Sequence, residues 1–72
     1  MNGFQELANA IIEQAAKDYR AAQRIRRRHP DNYSAHKTIL EVEHFFLSDW
    51  FAVLSEIDGE VLLRMLKEEF GV

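Results

Sequence analysis

"HFFLSDWFAVLSEIDGEVLLRML", residues 44–66, holds most of the large apolar side chains of this 72-residue chain. Its apolar positions recur in steps of three and four rather than two, so the stretch reads as helix and not as strand. Two interruptions divide it. Ser48-Asp49 can cap a fresh turn, which predicts a bend or restart at that point. Asp58-Gly59-Glu60 is the second break, where Gly59 loosens the backbone and Asp58 caps a last helix carrying Val61, Leu62, Met65, Leu66 and Phe70.

Working outward, the helix that enters this stretch starts after Asp31 or Asn32, either of which can cap it. Its inward stripe reads Ala35, Ile39, Val42, Phe46, Trp50, Val53 and Ile57. A second stripe of Leu40, Leu47, Phe51 and Leu54 widens the apolar arc to nearly half the circumference. Upstream of "HPDN", residues 29–32, lies one long amphipathic helix over residues 3–28. Phe4, Leu7, Ala8, Ile11, Ile12, Ala15, Tyr19, Ala22 and Ile25 share one face; Glu6, Asn9, Glu13, Lys17, Arg20, Arg24 and Arg27 share the other. Acidic residues come early and basic ones late, as the helix dipole favours. Pro30 ends it, because proline has no N–H and biases His29 away from helical angles. The expected fold is all-α. One domain over residues 1–72 holds three helices, or four if residue 48 breaks the second. They form a long antiparallel helical hairpin with a short C-terminal helix folded back on it.

Composition supports a folded chain: 47% hydrophobic, 29% charged, and a net charge of only −3. No cysteine is present, so neither a disulfide nor a thiolate zinc site can staple the fold. The N-terminus "MNGFQELANAIIEQ" lacks the basic and apolar regions of a signal peptide, and no run approaches the roughly 18 apolar residues that span a bilayer. A soluble cytoplasmic protein with no membrane partner is the expectation.

The chain is near the size at which one core only just outweighs chain entropy. Helix 1 offers mostly Ala and Ile, whereas residues 39–70 offer five large aromatics and many Leu and Ile. That imbalance predicts that part of the greasy stretch is completed by a partner, most simply a second copy in a symmetric dimer. The candidate interface residues are Phe45, Leu47, Trp50, Phe51, Leu54, Leu62 and Phe70. Phe45 is the sharpest of these, since the wheel points it away from the core stripe, among Thr38, Glu41 and Asp49.

Charge is polarised. Six of the nine Lys and Arg residues fall between positions 17 and 28, while residues 41–69 hold eight acids against two bases. Lys17, Arg20, Arg24, Arg27 and Arg28 share one arc and could track a phosphate backbone. The chain is nonetheless acidic, shows no recognition helix and sets no aromatic beside these arginines. A solvated surface, or one facing the acidic half of another subunit, therefore outweighs nucleic acid.

Chemistry-bearing patterns are sparse. Glu41-Val42-Glu43-His44 has the E-x-x-H spacing of carboxylate-bridged di-iron bundles. Such a site needs a second copy of the motif and two further glutamates, and Glu6 and Glu13 lie on the outward arc. Ser34, Ser48 and Ser55 sit where capping explains them, and three scattered glycines build no phosphate loop. Neither an enzyme, a cofactor, a metal nor a small-molecule substrate is expected.

Phe45-Phe46, then Ser48-Asp49-Trp50-Phe51, then Asp58-Gly59-Glu60 with Leu62 and Arg64, resembles a pattern in small proteins encoded by phages and prophages of Gram-positive bacteria. The basic helix end followed by "HPDN" is similar to theirs as well. Leu47 departs from the pattern, which would place a basic residue there. The resemblance implies an accessory protein of a mobile element and no particular activity; a phage-encoded inhibitor whose acidic half mimics nucleic acid is a further alternative. "HPDNYSAH", residues 29–36, also resembles the turn between tetratricopeptide repeats, but the chain is too short for a three-repeat solenoid, so only the turn chemistry is shared. Physically, the phage-like pattern reads as a corner: Ser48-Asp49 presents Trp50 and Phe51, Leu62 and Met65 pack back on Trp50, and Arg64 pairs with Asp49 or Glu60.

Overall fold

A computed structural model describes residues 3–72. These residues form four helices and no strand: α1 Gly3–Arg28, α2 Tyr33–Phe46, α3 Asp49–Leu54 and α4 Gly59–Glu69. No described helix is long and apolar enough to cross a membrane.

Each boundary has a local cause. α1 ends where Pro30 removes the next donor, and the turn closes through Asn32 N–H donating to the His29 carbonyl at 2.9 Å. His36 braces the same turn, its Nε2 lying 2.6 Å from the Pro30 carbonyl. A carbonyl only accepts, so that nitrogen carries the hydrogen. Asn32 is the residue that caps α2, its Oδ1 accepting from the Ala35 N–H at 2.9 Å. Asp58 caps α4 by accepting from the N–H groups of Glu60 and Val61. Beyond α4, Gly71 takes a positive φ of 68° while its N–H and that of Val72 donate to the carbonyls of Glu68 and Lys67. That is the Schellman stop, which needs a residue without Cβ strain.

The break at residue 48 is complete. Ser48 Oγ donates to the Phe45 carbonyl at 2.7 Å and accepts from the Phe51 N–H at 3.3 Å, ending one helix and starting the next. The apolar stripes consequently exchange roles. Ala35, Ile39, Val42 and Phe46 are buried as the spacing predicts, but Trp50, Val53 and Ile57, assigned to the same stripe, are exposed. Phe51 and Leu54 take their place inside. A stripe extrapolated through a cap inherits the wrong phase, because the new helix starts at a fresh rotation.

α1 and α2 pack closely along each other, and α4 lies against α2. The core they share comprises Tyr19 and Ala22 of α1, Ala35, Ile39, Val42 and Phe46 of α2, Phe51 of α3, and Leu63 and Leu66 of α4. Burying Phe46 and Phe51 alone contributes about 2 kcal/mol each from area removed from water. On α1 the buried face is narrower than the sequence predicts. Ala8, Tyr19 and Ala22 are inside, whereas Phe4, Leu7 and Ile25 are exposed and the polar Gln23 is buried instead. Gln23 is accommodated because its Nε2 donates to the Tyr19 hydroxyl at 3.0 Å, which in turn donates to Glu43 Oε2 at 3.2 Å. Lys67 stands 3.9 Å from the same Glu43 oxygen, so a polar chain links α1, α2 and α4, running from the buried Gln23 and Tyr19 out to the partly exposed Glu43 and Lys67.

Candidate interaction surface

The polar chain and α4 occupy one side of the α1–α2 seam. Arg20 grips Glu69 there, with Nε and Nη2 both 3.1 Å from carboxylate oxygens. Arg27 donates to the Phe70 carbonyl at 2.5 Å and sits over its ring, 5.2 Å from the centroid. On the helical wheel Arg20 and Arg27 fall on the flank of α1 opposite Ile11, Asp18 and Ile25.

That opposite flank is open. At one end Ile11, Gln14, Ala15, Asp18, Glu41, Val42, Phe45 and Trp50 line a groove of about 360 Å³ whose surface is mainly apolar. Toward the α1–α2 turn, Asp18, Ala21, Ala22, Ile25, Asn32, Ser34, Ala35 and Thr38 line a second hollow of about 340 Å³. Asp18, held by Gln14 Nε2 at 2.9 Å, borders both. The α1 side of this surface is the series Leu7, Ile11, Gln14, Asp18, Ala21, Ile25. Its spacing of four and three residues is visible in the sequence, and the wheel reading folded part of it into the buried face. The small residues Ala21 and Ala22 were not singled out from sequence as interface residues.

The candidate interface residues divide. Trp50 is 58% exposed and Leu47 61%, so both present apolar surface. Phe45 is half-buried rather than outward: its ring meets those of Phe46, Trp50 and Phe51, each with centroids 5.6 Å apart. Leu62 and Phe70 are also half-buried, Leu62 against the core and Phe70 under Arg27. Phe51 and Leu54 are fully interior to the subunit and offer no surface. Trp50 and Met65 are both exposed, and Trp50 stands edge-on to the Phe45 ring. Arg64 makes no ion pair with Asp49 or Glu60; among the described residues the ion pairs join Arg20 to Glu69, Lys37 to Glu41 and Lys67 to Glu43.

The basic arc is partly engaged within the chain. Arg20 and Arg27 hold the end of α4, whereas Lys17, Arg24 and Arg28 are exposed and enter no ion pair among the described residues. Arg24, Arg27, Arg28 and His29 with Ile25 surround a hollow at the end of α1, next to the Ala-lined one. The E-x-x-H pair does not converge on further ligands. Glu41 pairs with Lys37, His44 is exposed, and no group of three or more potential ligands is found among the described residues. Burial holds the Tyr19 phenol above its ordinary pKa, the Glu43 carboxylate adding to the rise and the Gln23 donor opposing it.

No family model, curated relative or solved structure matches the chain.

Proposed function

We propose that the chain is a non-enzymatic helical interaction module that self-associates, serving as an accessory protein of a phage or other mobile element. In this reading α1 and α2 are an antiparallel hairpin, α4 folds back over one side of it, and the other side is the working surface. The observation that carries the proposal is Trp50, a 58%-exposed indole standing edge-on over Phe45 at the mouth of a mainly apolar groove. Exposed aromatics in such settings are enriched where proteins meet. The phage context rests on sequence resemblance alone, in the pattern from Phe45 to Arg64 and in the basic helix end followed by "HPDN".

Light scattering behind a sizing column, over a dilution series, tests the association. The expected species has twice the 8.4 kDa chain mass and persists on dilution. A single-chain mass at every concentration would refute self-association.

A nucleic-acid-associated role is the second reading. The exposed Lys17, Arg24 and Arg28, outside any ion pair among the described residues, favour it. Binding to duplex DNA that falls steeply with salt, and weakens further in Arg24→Ala and Arg28→Ala, would support it over the first.

A further inference from the structure

We propose that the open flank of the α1–α2 seam is a two-fold interface with a second copy of this chain, in which Trp50 of each copy fills the Ala-lined hollow of the other. The proposal rests on the self-association reading above and gives it a geometry.

Shape is the first argument. The flank has a bulky end, where Trp50 projects above Phe45, and a small-residue end, where Ala21, Ala22 and Ala35 leave a hollow of about 340 Å³. Turning a second copy end for end brings bulky onto small twice. A two-fold contact works this way, each residue meeting on the partner the surface that the partner offers to it. A parallel arrangement would set indole against indole and hollow against hollow.

Charge is the second argument, and it selects the same pairing. Asp49 precedes Trp50, and Glu41, paired at 3.8 Å with Lys37, borders the Trp50 groove, whereas Arg24, Arg27 and Arg28 border the hollow next to the Ala-lined one, with Ile25 shared between the two. End-for-end apposition sets acids of each copy against arginines of the other at both ends. Complementary rims of this kind fix register and suppress other partners. Arg27 on that rim has its guanidinium engaged by the Phe70 carbonyl and ring, and Arg20 is engaged by Glu69, so Arg24 and Arg28 are the arginines that face a partner. The one unfavourable element lies at the centre. Asp18 borders both hollows, so the two Asp18 carboxylates approach the axis.

The test is the dimer dissociation constant, measured by sedimentation on the wild-type chain and three variants, with circular dichroism to verify folding. Ala21→Gln fills the hollow at an exposed helical position that tolerates it, and should weaken the dimer at least tenfold with helix content unchanged. Trp50→Ala removes the knob and should do the same. Asp18→Asn removes the axial repulsion and should tighten the dimer several-fold. Charge reversal supplies an independent check: Arg28→Glu should weaken assembly and Asp49→Arg in the same chain should restore it. A wild-type chain that is monomeric throughout overturns both this geometry and the self-association reading. A dimer indifferent to Ala21→Gln, Trp50→Ala and Asp18→Asn overturns this geometry alone and leaves self-association standing through another surface.

Discussion

Gly59 lies against the carbonyl of Phe46, so close that a Cβ on Gly59 would collide with that oxygen and stand 2.9 Å from Cδ1 of Phe51. Two helices separated by the whole of α3 meet there backbone to backbone. The obstacle is main chain, which cannot rotate aside as a side chain would. Gly59→Ala should therefore cost about 3 kcal/mol, a fall of roughly 15 °C in Tm for a chain this short. A thermal melt followed at the helix signal measures it, and an unchanged Tm would show that α4 does not dock as described.

Ser48 acts on both sides of the break, donating to the Phe45 carbonyl and accepting from the Phe51 N–H. Ser48→Ala loses the acceptor for the Phe51 N–H and one of the donors to the Phe45 carbonyl, which keeps the backbone N–H of residue 48 at 3.2 Å, for a cost of about 1 kcal/mol. Ser48→Asp keeps the acceptor and loses the donor, so its stability should fall between alanine and wild type. Urea midpoints of the three proteins settle the order.

These positions also mark how far the sequence is legible. Helix ends are local events: Pro30, Asn32 and Asp58 act on neighbours within four residues, and each boundary falls where those residues place it. Rotation is not local. Ser48 was readable as a cap, but the burial of Phe51 in place of Trp50 depends on the angle at which α3 restarts, which α4 and Phe46 fix. Gln23 is a sharper instance. Its polar side chain argues for solvent on any wheel, and only the tertiary meeting of Tyr19 with Glu43 makes its burial tolerable. The clasp of Arg20 on Glu69 spans 49 residues and leaves no trace in spacing.

Tyr19 is fully buried, at 0% exposure, with its phenol pKa raised by that burial above the ordinary value. In the unfolded chain the phenol ionises near its ordinary pKa; in the folded chain it resists. Stability from keeping it neutral is thus fully present below the unfolded value and is lost as pH rises through the folded one. Tm should hold steady to about pH 9 and then decline. Tyr19→Phe should flatten that alkaline decline. At neutral pH it should be less stable by about 1–3 kcal/mol, because the Gln23 amide loses its acceptor in the interior. Melts of both proteins between pH 7 and 11 test the two signs together.

Arg20 and Glu69 make two-pronged hydrogen bonds, yet both side chains keep substantial exposure, 39% and 45%. Screening by water limits such a pair to less than about 1 kcal/mol. Glu69→Gln should cost no more than that, and the difference from wild type should fade between low salt and 0.5 M. Arg27→Ala should cost more and resist salt, since it removes a hydrogen bond to the Phe70 carbonyl together with the packing of its stem and guanidinium on the Phe70 ring. Equal costs for the two variants, both abolished by salt, would mean that charge alone holds the end of α4.

Phe45 and Trp50 touch edge to face, but they answer to different parts of the molecule. Phe45 also meets Phe46 and Phe51, whose own rings stand 5.3 Å apart in the core. Cutting Phe45 to serine should therefore lower Tm, by about 2–4 kcal/mol in stability, and loosen whatever rests on the groove above it. Trp50→Ser removes only the exposed partner of that pair. Its Tm, read at a protein concentration low enough to keep the chain monomeric, should shift by less than about 1 kcal/mol, while its assembly should suffer at least as much as that of Phe45→Ser. A Trp50→Ser protein as unstable as Phe45→Ser under those conditions would make Trp50 part of the subunit's own support and leave the groove without its anchor.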